Sequence, residues 1–176
     1  MENEQARTIE VLQLAVQTEV EGKEFYQKAS QKSSNKLAKE LFQQLAKEED
    51  IHRKKFEEIY KAFNRKQNWP DVAPPSEKGK RLKSLFAEAS KALGSKFKVA
   101  ESELEAFKVA MDMEIKSYDL YQSRSEESTL PVEKRFYEAL AGEERGHHLA
   151  LLDSYEYLSD PASWFSKKEH WSLDGA

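Results

Sequence analysis

The sequence predicts an all-α protein: a four-helix bundle of two repeated helical hairpins, joined by a long crossover and followed by a short C-terminal tail. Two observations carry this prediction. Long stretches rich in Glu, Lys, Ala, Leu and Gln leave only six Gly and five Pro in 176 residues, a balance that favours helices. One pattern also occurs twice. Glu19, Tyr26, Glu49 and His52 recur as Glu114, Tyr121, Glu144 and His147, each 95 residues later.

Taken in order, the first helix spans about Asn3 to Ser30. The second starts near the capping cluster Ser33-Ser34-Asn35 and runs to about Asn64. Asn68-Trp69-Pro70 and Ala73-Pro74-Pro75-Ser76 break the helical pattern after it, because proline lacks the N–H a helix needs. A shorter helix over about Lys80 to Leu93 stops at Gly94. The next long helix opens at Ser102-Glu103-Leu104-Glu105, which reads as a capping box, and ends near Ser125. The last follows Ser128-Thr129-Leu130-Pro131, with Pro in the first turn, and reaches about Ser159. The bundle thus occupies residues 1–160: a first repeat over about 3–64, a crossover over about 65–101 and a second repeat over about 102–159. Short joins make each repeat an antiparallel hairpin. Residues 161–176, with Trp164, Phe165 and Trp171, are expected to fold back on the bundle.

The repeated residues lie on the faces that should be buried. In the second helix the stripe is Ala38, Phe42, Leu45, Glu49, His52, Phe56, Ile59 and Phe63, the spacing of a helix seam. Leu12, Ala15, Glu19, Gly22 and Tyr26 form the matching stripe of the first helix. Leu104, Phe107, Met111, Glu114, Tyr118 and Tyr121 do so in the third long helix, and Tyr137, Leu140, Glu144, His147 and Leu151 in the fourth. Burying an unpaired carboxylate costs several kcal/mol, so four facing carboxylates need either protons or cations. Two divalent ions balance four carboxylates, and two neutral imidazoles complete the coordination. Glu-x-x-His serves because residues three apart share a helix face. Glu19, Glu49, His52, Glu114, Glu144 and His147 are therefore the candidate metal ligands and catalytic residues. Oxygen and nitrogen donors of this kind suit iron or manganese, with zinc as an adventitious occupant.

Composition excludes other classes. The net charge of −4 gives no basic face for nucleic acid. No apolar run approaches the roughly 20 residues of a membrane span, and the polar, acidic start Met1-Glu2-Asn3-Glu4-Gln5 is unlike a signal peptide. A soluble, cytoplasmic protein is expected. The absence of cysteine removes disulfides, thiolate metal sites and Cys nucleophiles.

On these residues the chain resembles the ferritin-like di-iron carboxylate family around rubrerythrin, and most of all its short members without a rubredoxin domain. The resemblance covers the four long helices. It implies that Glu49 and Glu144 bridge two irons, with Glu19, His52, Glu114 and His147 as terminal ligands, the pairing of each His with a metal left open. Tyr26 and Tyr121 are either core tyrosines or, as the resemblance implies, hydrogen-bond donors to ligand carboxylates across the bundle. The implied activity is reduction of hydrogen peroxide or dioxygen, with electrons from an external carrier such as a rubredoxin. The alternatives are an iron-binding or ferroxidase protein for iron handling, and a bundle retained as an interaction module. Two departures stand out: there is no cysteine, and Ser117 occupies the place, three after Glu114, of a further glutamate in rubrerythrins. A homodimer with exchanged helices is compatible with the long crossover.

The remaining polar residues are assigned blander roles. Glu48 and Glu143 also recur but sit one residue off the seam, which places them on the surface. His148, about 100° around the helix from His147, is assigned to solvent. Lys47-Glu48-Glu49-Asp50 reads as a solvated face with one ligand embedded, Met111 and Met113 as packing, and His170 as without role.

Overall fold

The computed structural model describes residues 2–66, 68–75, 79–95 and 97–166. Among them there are five long helices and no strand: α1 (Glu2–Lys32), α2 (Lys36–Lys66), α3 (Lys80–Leu93), α4 (Glu101–Glu127) and α5 (Pro131–Ser159). The two extensive helix pairings are α1 with α2 and α4 with α5, the hairpins expected from the short joins. The fold is a ferritin-like helical bundle. No helix among the described residues is long and apolar enough to cross a membrane.

Two apolar clusters fill the bundle. One gathers Tyr26, Leu37, Phe42, Leu45, Phe107, Leu151 and Tyr157. The other gathers Leu12, Phe56, Ile59, Tyr121, Phe136 and Leu140. Along each long helix the sequence passes from one cluster to the other with the repeated Glu and His residues between. On α1 and α5 it passes in one sense, and on α2 and α4 in the opposite sense. The polar residues therefore form a layer across the middle of the bundle. The chain leaves α2 at one end and enters α4 at the other, so the crossover must travel the bundle's length. It does so by docking Trp69 and Val72 into the cluster that contains Phe56 and Leu82 and Phe86 into the one that contains Phe42.

Several ends are capped as the sequence suggests, and one is not. The Asn35 side chain accepts from the Ala38 N–H at 3.2 Å, an N-cap for α2. Pro131 takes the first position of α5. The capping box expected at Ser102–Glu105 does not form: α4 begins at Glu101 with Ala100 as N-cap, so Ser102 is already inside the helix. Glu103 is instead buried and accepts from the Ser34 N–H at 2.7 Å and the Asn35 N–H at 3.0 Å. A carboxylate there satisfies backbone donors at the α1–α2 turn that nothing local could reach.

Trp164 and Phe165 pack on the Phe42 cluster, edge-on to Tyr157. Trp171 and His170 lie outside the described residues. Tyr157 also donates its hydroxyl to the Gly94 carbonyl at 2.6 Å, tying the end of α3 to α5.

Gly79 fixes the other end of α3. Its φ is 67°, in the left-handed region that glycine occupies without strain. A Cβ there would lie 2.7 Å from the Gly146 carbonyl oxygen, so the α3 start presses directly on the α5 backbone beside His147. Gly79→Ala should lower the free energy of unfolding by about 2 kcal/mol or more, from the left-handed penalty and the displaced backbone. Urea denaturation measures this; an unchanged midpoint would contradict the close approach.

Candidate metal centre

All six candidate ligands converge in the polar layer, and each is at most 5% exposed. α1 supplies Glu19, α2 supplies Glu49 and His52, α4 supplies Glu114, and α5 supplies Glu144 and His147. The i, i+3 spacing on α2 and α5 turns each Glu and its His to the same side. They form two overlapping sets. Glu19, Glu49, His52 and Glu144 bring one ligand atom apiece within 4.8 Å of one another, and so do Glu49, Glu114, Glu144 and His147. Glu49 and Glu144 belong to both sets. His52 falls with Glu19, its Nδ1 3.5 Å from Glu19 Oε2 and 3.3 Å from Glu144 Oε1. His147 falls with Glu114, its Nδ1 3.4 Å from both Glu114 Oε2 and Glu49 Oε1. The imidazole rings lie nearly parallel, centroids 5.7 Å apart.

The atoms that face inward have no hydrogen-bond partner. These are Glu19 Oε2, Glu49 Oε1, His52 Nδ1, Glu114 Oε2, both Glu144 oxygens and His147 Nδ1. Buried polar atoms are rarely left so, and a cluster of them converging from four helices fits a pair of cations. The outward atoms are held. Tyr26 donates its hydroxyl to Glu114 Oε1, and Tyr121 donates to Glu19 Oε1, each tyrosine reaching from one repeat to the other. Burial first, and then the neighbouring carboxylates, push both phenols well above their ordinary pKa. They therefore stay protonated and donate at any ordinary pH.

Glu48 and Glu143, expected on the surface, are buried at 6% and 1% exposure. Glu48 Oε2 accepts from His147 Nε2 at 2.8 Å, and Glu143 lies within 4.8 Å of the same pair. The reason is geometric: a helix inside a four-helix bundle buries a band wider than a single seam. Their recurrence at the same 95-residue interval was the available signal. Lys47-Glu48-Glu49-Asp50 is accordingly not a solvated face; of the four only Lys47 is exposed. His148 is half-buried rather than solvated, lining a hollow of about 180 Å³ with Glu114, Ile115, Tyr118 and Arg145. Met111 packs on the apolar core, whereas Met113 lines a cleft that reaches Glu49 and Glu114.

Without cations the layer must compensate with protons. Burial, then the charges of Glu19 and Glu144, raises the Glu49 pKa well above the carboxylate range. Burial raises Glu114 to about 8. Burial would lower the two imidazoles, but the surrounding carboxylates outweigh it and raise both. Glu144 moves the other way: burial would raise it, but the two histidines hold it below the ordinary range. A group whose pKa is raised on folding stabilises the fold at low pH and loses that contribution as pH rises through the folded value. Glu49, Glu114, His52 and His147 all act in this sense, and Glu144 acts in the opposite sense only below the carboxylate range. The metal-free protein should therefore lose stability as pH rises from above the ordinary carboxylate range through about 8, the value of Glu114. Urea denaturation in a chelator tests this, and stability that rose over that interval would contradict the charge assignment.

Comparison with known proteins agrees with this geometry. No match is found among curated proteins or among solved structures. A family model described as Rubrerythrin matches residues 10–155, a span that contains every residue of the layer. The chain belongs to the rubrerythrin family, a ferritin-like di-iron family.

Proposed function

We propose that the protein is a non-haem di-iron oxidoreductase that reduces hydrogen peroxide or dioxygen with electrons from an external carrier. The observation that carries this reading is the pair of overlapping donor sets sharing Glu49 and Glu144, with inward atoms that nothing else satisfies. Glu19 and His52 would hold one ion, Glu114 and His147 the other, and Glu49 and Glu144 would lie between them. Two ferrous ions held in this way supply two electrons together, the number needed to reduce peroxide to water. Oxygen and imidazole donors suit iron, as does membership of the family.

The chain's own residues give the site its shape and its access. Tyr26 and Tyr121 each fix one oxygen of a terminal carboxylate and leave the other facing inward. A cleft of about 410 Å³ between α1 and α4, lined by Gly22, Tyr26, Glu49, Glu114, Ser117 and Leu120, reaches the layer from one side. A Cβ at Gly22 would stand 3.3 Å from Glu49 Oε2, so glycine leaves room beside a central carboxylate. Ser117 keeps the same wall small. A small oxidant and water can reach Glu49 and Glu114 by this route. Along the helices the two apolar clusters close the layer above and below, which keeps water out in those directions. These residues include no cysteine and so offer no thiolate-bound relay, and the reading takes its electrons from an external carrier.

The test is anaerobic loading with two equivalents of ferrous iron, then rapid mixing with hydrogen peroxide or with dioxygen while ferric absorbance is followed. Oxidation should outpace that of free iron with at least one oxidant, and Glu49→Ala should abolish the gain. If iron binds but neither oxidant reacts faster than with free iron, the oxidoreductase reading fails and iron handling replaces it.

A further inference from the structure

One buried hydrogen-bonded chain lies behind the layer and is accounted for by neither the ligand set nor the family match. Gln44 Nε2 donates to Glu48 Oε1 at 2.8 Å, and His147 Nε2 meets the other oxygen, Oε2, at 2.8 Å. Gln44 and Glu48 are each 6% exposed and His147 is fully buried. A carboxylate only accepts, so His147 Nε2 carries the proton in this bond, and in the neutral ring that a metal would need Nδ1 bears the lone pair. That Nδ1 faces Glu49, Glu114 and Glu144 at 3.4, 3.4 and 3.5 Å and has no hydrogen-bond partner.

We propose that Glu48, braced by Gln44, is a positioning residue that sets the tautomer and ring orientation of His147 and thereby governs one of the two metal positions. Three features make this more than a stray contact. The bond crosses from α2 to α5, so it links the two repeats at the level of the ligands. Both oxygens of Glu48 are engaged, which fixes the carboxylate plane and through it the imidazole. Gln44 itself does not recur: the residue 95 after it is Ala139, although Glu48 recurs as the buried Glu143. Outer carboxylates of this kind orient a ligating imidazole and raise its basicity toward the ion. The effect belongs to the Glu114–His147 position, because Glu48 meets His147 Nε2 and the same ring turns its Nδ1 toward Glu114.

The inference rests on the two-ion reading of the layer, and cobalt(II) titration of the metal-free chain separates the two. Wild-type protein should take up two equivalents, followed by visible absorbance. Glu48→Gln retains the shape and removes the charge. It should leave one equivalent at wild-type affinity and weaken the other by about 10–100-fold. Glu48→Ala should weaken the same equivalent further. Gln44→Met, which leaves Glu48 in place but unbraced, should weaken it less. A merely structural role would lower the melting temperature of the metal-free protein and weaken both equivalents alike, and that pattern overturns the inference. Two unaltered equivalents in Glu48→Gln overturn it as well, leaving the two-ion reading intact. Wild-type protein that binds no cobalt overturns both.

Discussion

Ionised carboxylates placed side by side where water is excluded would force the helices of this bundle apart. Each buried ion carries a desolvation cost of several kcal/mol, recovered only when an opposite charge lies against it. Glu19, Glu49, Glu114 and Glu144 are all but fully buried, and no Lys or Arg forms an ion pair with any of them among the described residues. The only positive charge within the layer is what two histidines can hold as protons. That shortage is the constraint on which the rest of the structure depends, and two divalent cations remove it.

The surrounding architecture works to keep this layer in place. The Leu, Phe and Tyr clusters on either side supply the apolar burial that holds four helices together across a polar seam. Tyr26 and Tyr121 sit at the inner edges of those clusters, so each joins an apolar ring face to a ligand carboxylate. The crossover runs the length of the bundle, and Gly79 brings the α3 start onto the α5 backbone at Gly146, next to His147. A helix outside the repeat thereby steadies a ligand-bearing segment within it.

How much of this could be read beforehand follows from what each signal encodes. The helices and their order were legible because long 3.6-residue periodicity survives without tertiary information. The six converging residues were legible because a charged residue on an apolar seam is a local anomaly, and its repetition at a fixed interval makes chance a poor explanation. Glu48 and Glu143 were misread for a related reason: a one-stripe view of a helix assigns the neighbouring position to solvent, whereas a bundle buries a wider band. The capping box was misread because Ser102-Glu103-Leu104-Glu105 has the form of a local cap, whereas the residue that makes a capping contact is Glu103. The carboxylate in fact serves a turn on another hairpin, a contact that no local pattern contains. The pairing of His52 with Glu19 and of His147 with Glu114 also required the fold, since both depend on which helices face each other.

The central claim is that the layer is built to hold two cations, and the most direct measurement determines metal content and thermal unfolding on the same sample. Protein stripped with a chelator and then reloaded anaerobically with ferrous iron should retain two ions per chain and melt at a distinctly higher temperature than the stripped form, as binding to the folded state alone requires. Retention of no iron after desalting, or two bound ions with an unchanged melting temperature, would contradict it.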